Sequence, residues 1–139
     1  MKKFLQSSLS LLTVLIISGV VFSAVSLQYF TAKNNSEGVL IEWKTIDESG
    51  ASKFELERSV NTPDNFLNLH THNATGNNSY YSYQDNSVER PASGGPALYY
   101  YRLKCIDGAG SYTYTNHITV SHTVSGIRST WGSIKAIFR

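Results

Sequence analysis

The chain has 139 residues, 12 Lys and Arg against 10 Asp and Glu, a single Cys and nine Tyr. That length fits one ordinary domain, and with Lys2 and Lys3 set aside in a leader the basic and acidic groups are equal at ten each. The balance excludes a nucleic-acid binder built on bulk positive charge, and the lone Cys105 excludes both an intramolecular disulfide framework and a cysteine-based metal cage.

In chain order, the first predicted element is a signal peptide over residues 1–26. Lys2 and Lys3 form its positive end, and residues 9–22 (LSLLTVLIISGVVF) form its apolar segment. Ala24 and Ser26 offer small side chains for cleavage before Leu27, and a cut after Ser23 is the second choice. The rival reading is an uncleaved anchor, because the apolar run 4–25 approaches the ~20 residues of a spanning helix. Both readings place the domain outside the cytoplasm, in the periplasm, on the cell surface or beyond it. Cys105 in such an oxidising place is expected to be buried or harmless.

Beyond the leader the hydrophobic period is two. Val39, Ile41 and Trp43 alternate with Leu40, Glu42 and Lys44. Phe54 and Leu56 alternate with Glu55 and Glu57, and Tyr99, Tyr101, Leu103 and Cys105 with Tyr100, Arg102 and Lys104. This alternation puts one side of each segment on a core and the other toward water. Turn residues such as Asp47 to Gly50 and Asp107 to Gly110 separate the runs. They predict seven short strands near 27–33, 39–45, 54–59, 66–72, 80–85, 98–106 and 112–122, with 86–96 as a surface loop. An all-β, immunoglobulin-like antiparallel β-sandwich over residues 27–122 follows.

The tail 123–139 is a separate element. It carries Arg128, Lys135 and Arg139 without an acid, together with Ile127, Trp131, Ile134, Ile137 and Phe138. If helical, Trp131, Ile134 and Phe138 share a face flanked by Lys135 and Arg139, suited to a partner groove or an anionic membrane surface. Alternatively the tail adds a last strand or covers the end of the sandwich.

The ordered set Phe30-Thr31-Ala32, Val39-x-Ile41-x-Trp43-x-Thr45, Phe54-x-Leu56-Glu57-Arg58-Ser59, Tyr83-x-Asp85, Tyr100-Tyr101-Arg102-Leu103-Lys104 and Asp107-Gly108 resembles the fibronectin type III-like modules of secreted Bacteroidota proteins. The resemblance spans residues 27–122. It implies a seven-stranded sandwich with Trp43 in the core and a tyrosine corner at Tyr99, whose hydroxyl returns to nearby backbone, with Tyr100 as the competing register.

Candidate chemistry is sparse. His70 and His72 lie two apart on a predicted strand and could share a metal, but a third ligand from His117, His122 or a carboxylate is not fixed by spacing, so they are expected to be exposed and unliganded. Glu55 and Glu57 form a carboxylate pair of the kind glycosidases use, yet their alternation with Phe54 and Leu56 marks the solvent side of a strand. No nucleophile elbow or phosphate-cradling loop is present in the sequence. Of the tyrosines crowding the second half, most are expected to pack across strands, and Tyr100 is the best outward candidate for recognition. The sequence therefore predicts a non-catalytic interaction or structural module without a cofactor, its partner a protein or cell-surface component. Its predicted binding residues are Tyr100, Trp131, Ile134, Lys135, Phe138 and Arg139. A small carbohydrate-binding module using exposed tyrosines is the alternative. Membrane contact is expected only through an uncleaved leader or the tail, and no nucleic acid is expected as a partner.

Overall fold

The alternating runs all form strands. In the structure, a computed structural model that describes residues 24–89 and 95–122, they are β1 (Ser26–Asn35), β2 (Gly38–Asp47), β3 (Ala51–Val60), β4 (Leu67–Asn73), β5 (Tyr80–Asp85), β6 (Ala97–Asp107), β7 (Tyr112–Tyr114) and β8 (Ile118–His122). The described residues contain no helix. The predicted leader up to residue 23 and the whole tail 123–139 lie outside them.

All strand pairs are antiparallel. One sheet has the order β1-β2-β5; the other runs β4-β3-β6, and both β7 and β8 then pair with β6. The inward residues are those the period of two selects: Val39, Ile41 and Trp43 from β2, Phe54 and Leu56 from β3, Tyr99, Tyr101, Leu103 and Cys105 from β6, joined by Tyr81 of β5. Trp43 is fully buried at the centre. Its ring stacks on Tyr81 at 5.1 Å within its own sheet and meets Phe54 of the opposite sheet edge-on at 6.4 Å, so one side chain joins the two layers. Aromatic pairs in such offset or edge-to-face arrangements stabilise by about 0.5–1.5 kcal/mol beyond area burial.

Local chemistry sets the turns. Asn35 opens the hairpin into β2, its Oδ1 accepting from the Glu37 amide at 3.0 Å. Gly38 follows with φ of +139°, and a Cβ there would lie 2.2 Å from the Asp85 carbonyl oxygen, so only glycine fits.

The predicted last strand, 112–122, is two strands, which makes eight among the described residues. Arg102 and Leu103 of β6 face three residues, Thr115 to His117, between the β7 and β8 pairings. The Thr115 amide donates to the Leu103 carbonyl at 2.9 Å, while the Leu103 amide donates to Thr115 Oγ1 at 3.0 Å. A side-chain oxygen stands in for a backbone acceptor, and the ladder takes up one extra residue there.

Buried carboxylates brace the sandwich at two places. Asp85 accepts from Arg58 Nη1 at 2.6 Å, the Tyr101 hydroxyl at 2.9 Å and the Ser87 hydroxyl at 2.7 Å. Glu48 accepts from the Tyr81 hydroxyl at 2.6 Å and the Gly76 amide at 2.9 Å. The C-terminal end of β1 is tied to the end of β8, where Asn34 Nδ2 donates to the Ser121 carbonyl at 2.6 Å and His122 Nδ1 donates to Asn34 Oδ1 at 2.8 Å.

Candidate functional site

The outer face of the five-stranded sheet brings two exposed tyrosines, Tyr112 and Tyr114, over charged side chains of β6. Register places Glu57 opposite Arg102 and Glu55 opposite Lys104, with Tyr114 on the far side of Lys104. Each tyrosine of β7 leans diagonally along β6. Tyr114 covers the Arg102 guanidinium at 3.8 Å, and Tyr112 covers the Lys104 ammonium at 4.5 Å. Diagonal neighbours on a sheet are within reach of long and aromatic side chains.

Arg102 is held on three sides. Phe66, just before β4, lies 4.1 Å from the guanidinium on the side away from β7, and Arg102 Nε donates to Glu57 Oε2 at 2.7 Å. Lys104 reaches Glu55 at 3.4 Å, and Lys53 reaches the same carboxylate at 3.7 Å. Desolvation works to lower the Lys104 pKa, but the Glu55 carboxylate outweighs it and holds the ammonium above its usual value. The cations are thus fixed in place, and the rings above them remain open: Tyr112 is 55% exposed and Tyr114 46%.

Tyr100 sits on this same outer face, half-buried, with its ring edge-on to His117 at 5.4 Å. The other predicted binding residues, Trp131, Ile134, Lys135, Phe138 and Arg139, lie outside the described residues. Glu57 does not stand on open solvent as its alternation predicts; it is 8% exposed because Arg102 folds across it. His72 also departs from expectation. It is half-buried against Trp43, with ring centroids 4.9 Å apart, while His70 remains exposed. Of the third ligands considered, His117 lies beside Tyr100 and His122 beside Tyr99. Among the described residues no group of three or more His, Cys, Asp or Glu could hold a metal ion.

The stack of Phe66, Arg102 and Tyr114 is absent from the sequence reading. Its only trace is an Arg flanked in period two by Tyr100 and Lys104, which identifies an outward cation but not the rings that meet it.

No protein-family model, curated protein or solved structure matches the chain.

Proposed function

We propose that this chain is a non-catalytic, exported interaction module of fibronectin type III-like fold, and that it engages a protein or cell-surface component through the outer face of its five-stranded sheet. The observation that carries the reading is the pair of open tyrosine rings, Tyr112 and Tyr114, seated on the immobilised cations Lys104 and Arg102. Tyr and Arg are enriched in protein interfaces and at their energetic centres, and side chains ordered before binding lose little entropy on association. Glu55 and Glu57 are occupied by lysine and arginine partners, which favours recognition over acid–base chemistry.

The carbohydrate alternative needs rings that lie flat side by side. Tyr112 and Tyr114 are inclined at 67° to each other, and Tyr100 is half-buried, which favours a protein surface over a polysaccharide. Two features support the fold family. With β7 and β8 counted as one bulged strand the sandwich has seven strands. The Tyr99 hydroxyl donates to the Glu89 carbonyl at 2.7 Å, ten residues upstream, the bond a tyrosine corner makes.

Export rests on the leader, and the fold bears on its cleavage. Val25 packs against the core and the Ser49 hydroxyl donates to the Ala24 carbonyl at 3.1 Å, so a cut after Ser26 would remove residues the domain uses. Cleavage after Ser23 keeps them. No helix among the described residues is long and apolar enough to cross a membrane.

The test is association of the purified chain with intact cells or isolated envelopes. The double variant Tyr112→Ala/Tyr114→Ala should lose it while keeping the β-type circular dichroism spectrum. Retention of binding by that variant, or binding to insoluble polysaccharide abolished by Tyr100→Ala, would replace the protein reading.

A further inference from the structure

Among the described residues β4 is an edge strand, paired only with β3, and its ladder is interrupted by an extra residue where Leu56 and Glu57 face His70 and Asn68. Most of its residues are exposed; only Leu69 and His72 are partly buried. Leu69 packs against the core, and His72, opposite Phe54 in the ladder, is its other foothold there. The imidazole enters an aromatic enclosure, edge-on to Trp43 at 4.9 Å, 6.0 Å from Tyr81 and 4.5 Å from His70. His70 in turn stacks on Tyr83 at 5.0 Å.

The polar atoms in this enclosure are left over. His72 Nε2 and Trp43 Nε1 are both buried and neither has a hydrogen-bond partner. A neutral ring tolerates the place at the cost of one hydrogen bond. An imidazolium would bury a charge whose Nε2–H has no acceptor, and burying an unpaired charge is far more costly. The rings around it could attract a cation only weakly, and no carboxylate among the described residues pairs with it. β2 presents Trp43 and β3 presents Phe54, neither of them titratable. β5 presents Tyr81, whose hydroxyl is engaged by Glu48, and Tyr83. β4 itself contributes His70, a second cation in acid. None of the ion pairs among the described residues includes His72.

We propose that β4 is an acid-released edge strand: protonation expels His72 from the Trp43 side of the core, detaches β4 from β3 and opens that margin of the sandwich. Burial, then the charge of His70, holds the closed-state pKa of His72 below 6.5. Above 6.5 neither state is protonated there, and the closed form keeps its full stability. As the pH falls from 6.5 toward the lowered value, the released form takes up a proton that the closed form refuses, and release is favoured. The opened margin presents aromatic rings and an unpaired strand edge, both suited to association.

The experiment uses the full chain with Trp131→Phe, which leaves Trp43 as the single tryptophan. Its emission and the hydrogen exchange of backbone amides are followed from about pH 7.5 to about pH 4.5, the range of histidine titration. Amides of β4 should lose protection as the pH falls below 6.5 and Trp43 emission should shift to the red, with β2 and β6 still protected. His72→Phe should abolish both changes, and His70→Gln should keep them and move their midpoint to higher pH. Protection of β4 that does not change over this range, or a loss that persists in His72→Phe, overturns the proposal. So does a loss that spreads to β6. Should His72→Phe not fold, His72→Gln takes its place, and a His72 ring-proton titration with its midpoint at or above 6.5 in the unaltered chain overturns the proposal by itself.

Discussion

Arg58 Nη1 lies 2.6 Å from Asp85 Oδ2, an ion pair that ties β3 of one sheet to the end of β5 in the other. Asp85 is fully buried and Arg58 is half-buried. Burial alone would raise the Asp85 pKa, but hydrogen bonds from Ser87, Arg58 and Tyr101 outweigh it and hold the carboxyl below 3.8. Removing one partner of such a pair leaves a charge uncompensated, so Arg58→Ala should cost about 3–5 kcal/mol in urea titration at neutral pH. The bond also sets acid behaviour. The stability it supplies is complete above 3.8 and is lost as the pH falls through the lowered value. Arg58→Ala should therefore flatten the decline of stability below that pH; an unchanged slope would mean the pair contributes nothing.

Trp43 contacts both layers, and its truncation empties the centre. Trp43→Ala should cost ~3–5 kcal/mol, a large share of the ~5–15 kcal/mol of a small domain. Trp43→Phe keeps part of the ring contact with Tyr81 and Phe54 and should cost distinctly less. Equal losses in the two variants would show that ring volume at this position is not what holds the sheets together.

The contrast between Trp43 and His72 shows what a linear pattern carries. Trp43, Phe54 and Cys105 are legible because strict alternation fixes the side of a strand that each occupies. His72 and Glu57 are not, because their burial depends on what lies across the ladder. Glu57 is covered by Arg102 from the neighbouring strand, and His72 is turned inward on an edge strand whose extra residue at Leu69 resets the alternation. The break between β7 and β8 depends on one hydroxyl, Thr115 Oγ1, meeting the Leu103 amide. Within the candidate site Tyr100 could be placed on the outer face from its neighbours. The open rings of Tyr112 and Tyr114 emerge only once β7 is registered against β6.

Cys105 projects from β6 into the core, 5% exposed, and burial pushes its thiol up to about 11. A thiol that is both buried and protonated is a poor nucleophile. Alkylation of the native chain at neutral pH should be slow and should accelerate sharply with denaturant. Rapid labelling without denaturant would show that this part of β6 opens locally. Cys105→Ala removes a single sulfur atom from the core and should cost on the order of 1 kcal/mol.

Arg102 tests whether the outer face is a built surface or a chance gathering of rings. A lysine could keep the charge, but it lacks the planar fork that sits between Phe66 and Tyr114 while Nε bonds to Glu57. Arg102→Lys should therefore cost about 1–2 kcal/mol, the sum expected for weakened stacking and a lost charge-assisted bond. It should also weaken any partner binding through Tyr114, whose ring loses its support. A double-mutant cycle with Glu57→Gln separates the terms. Coupling between the two substitutions assigns the loss to the ion pair, whereas additivity assigns it to the rings. If Arg102→Lys leaves stability unchanged, the guanidinium is not what orders Tyr114, and the face would have to organise only when its partner arrives.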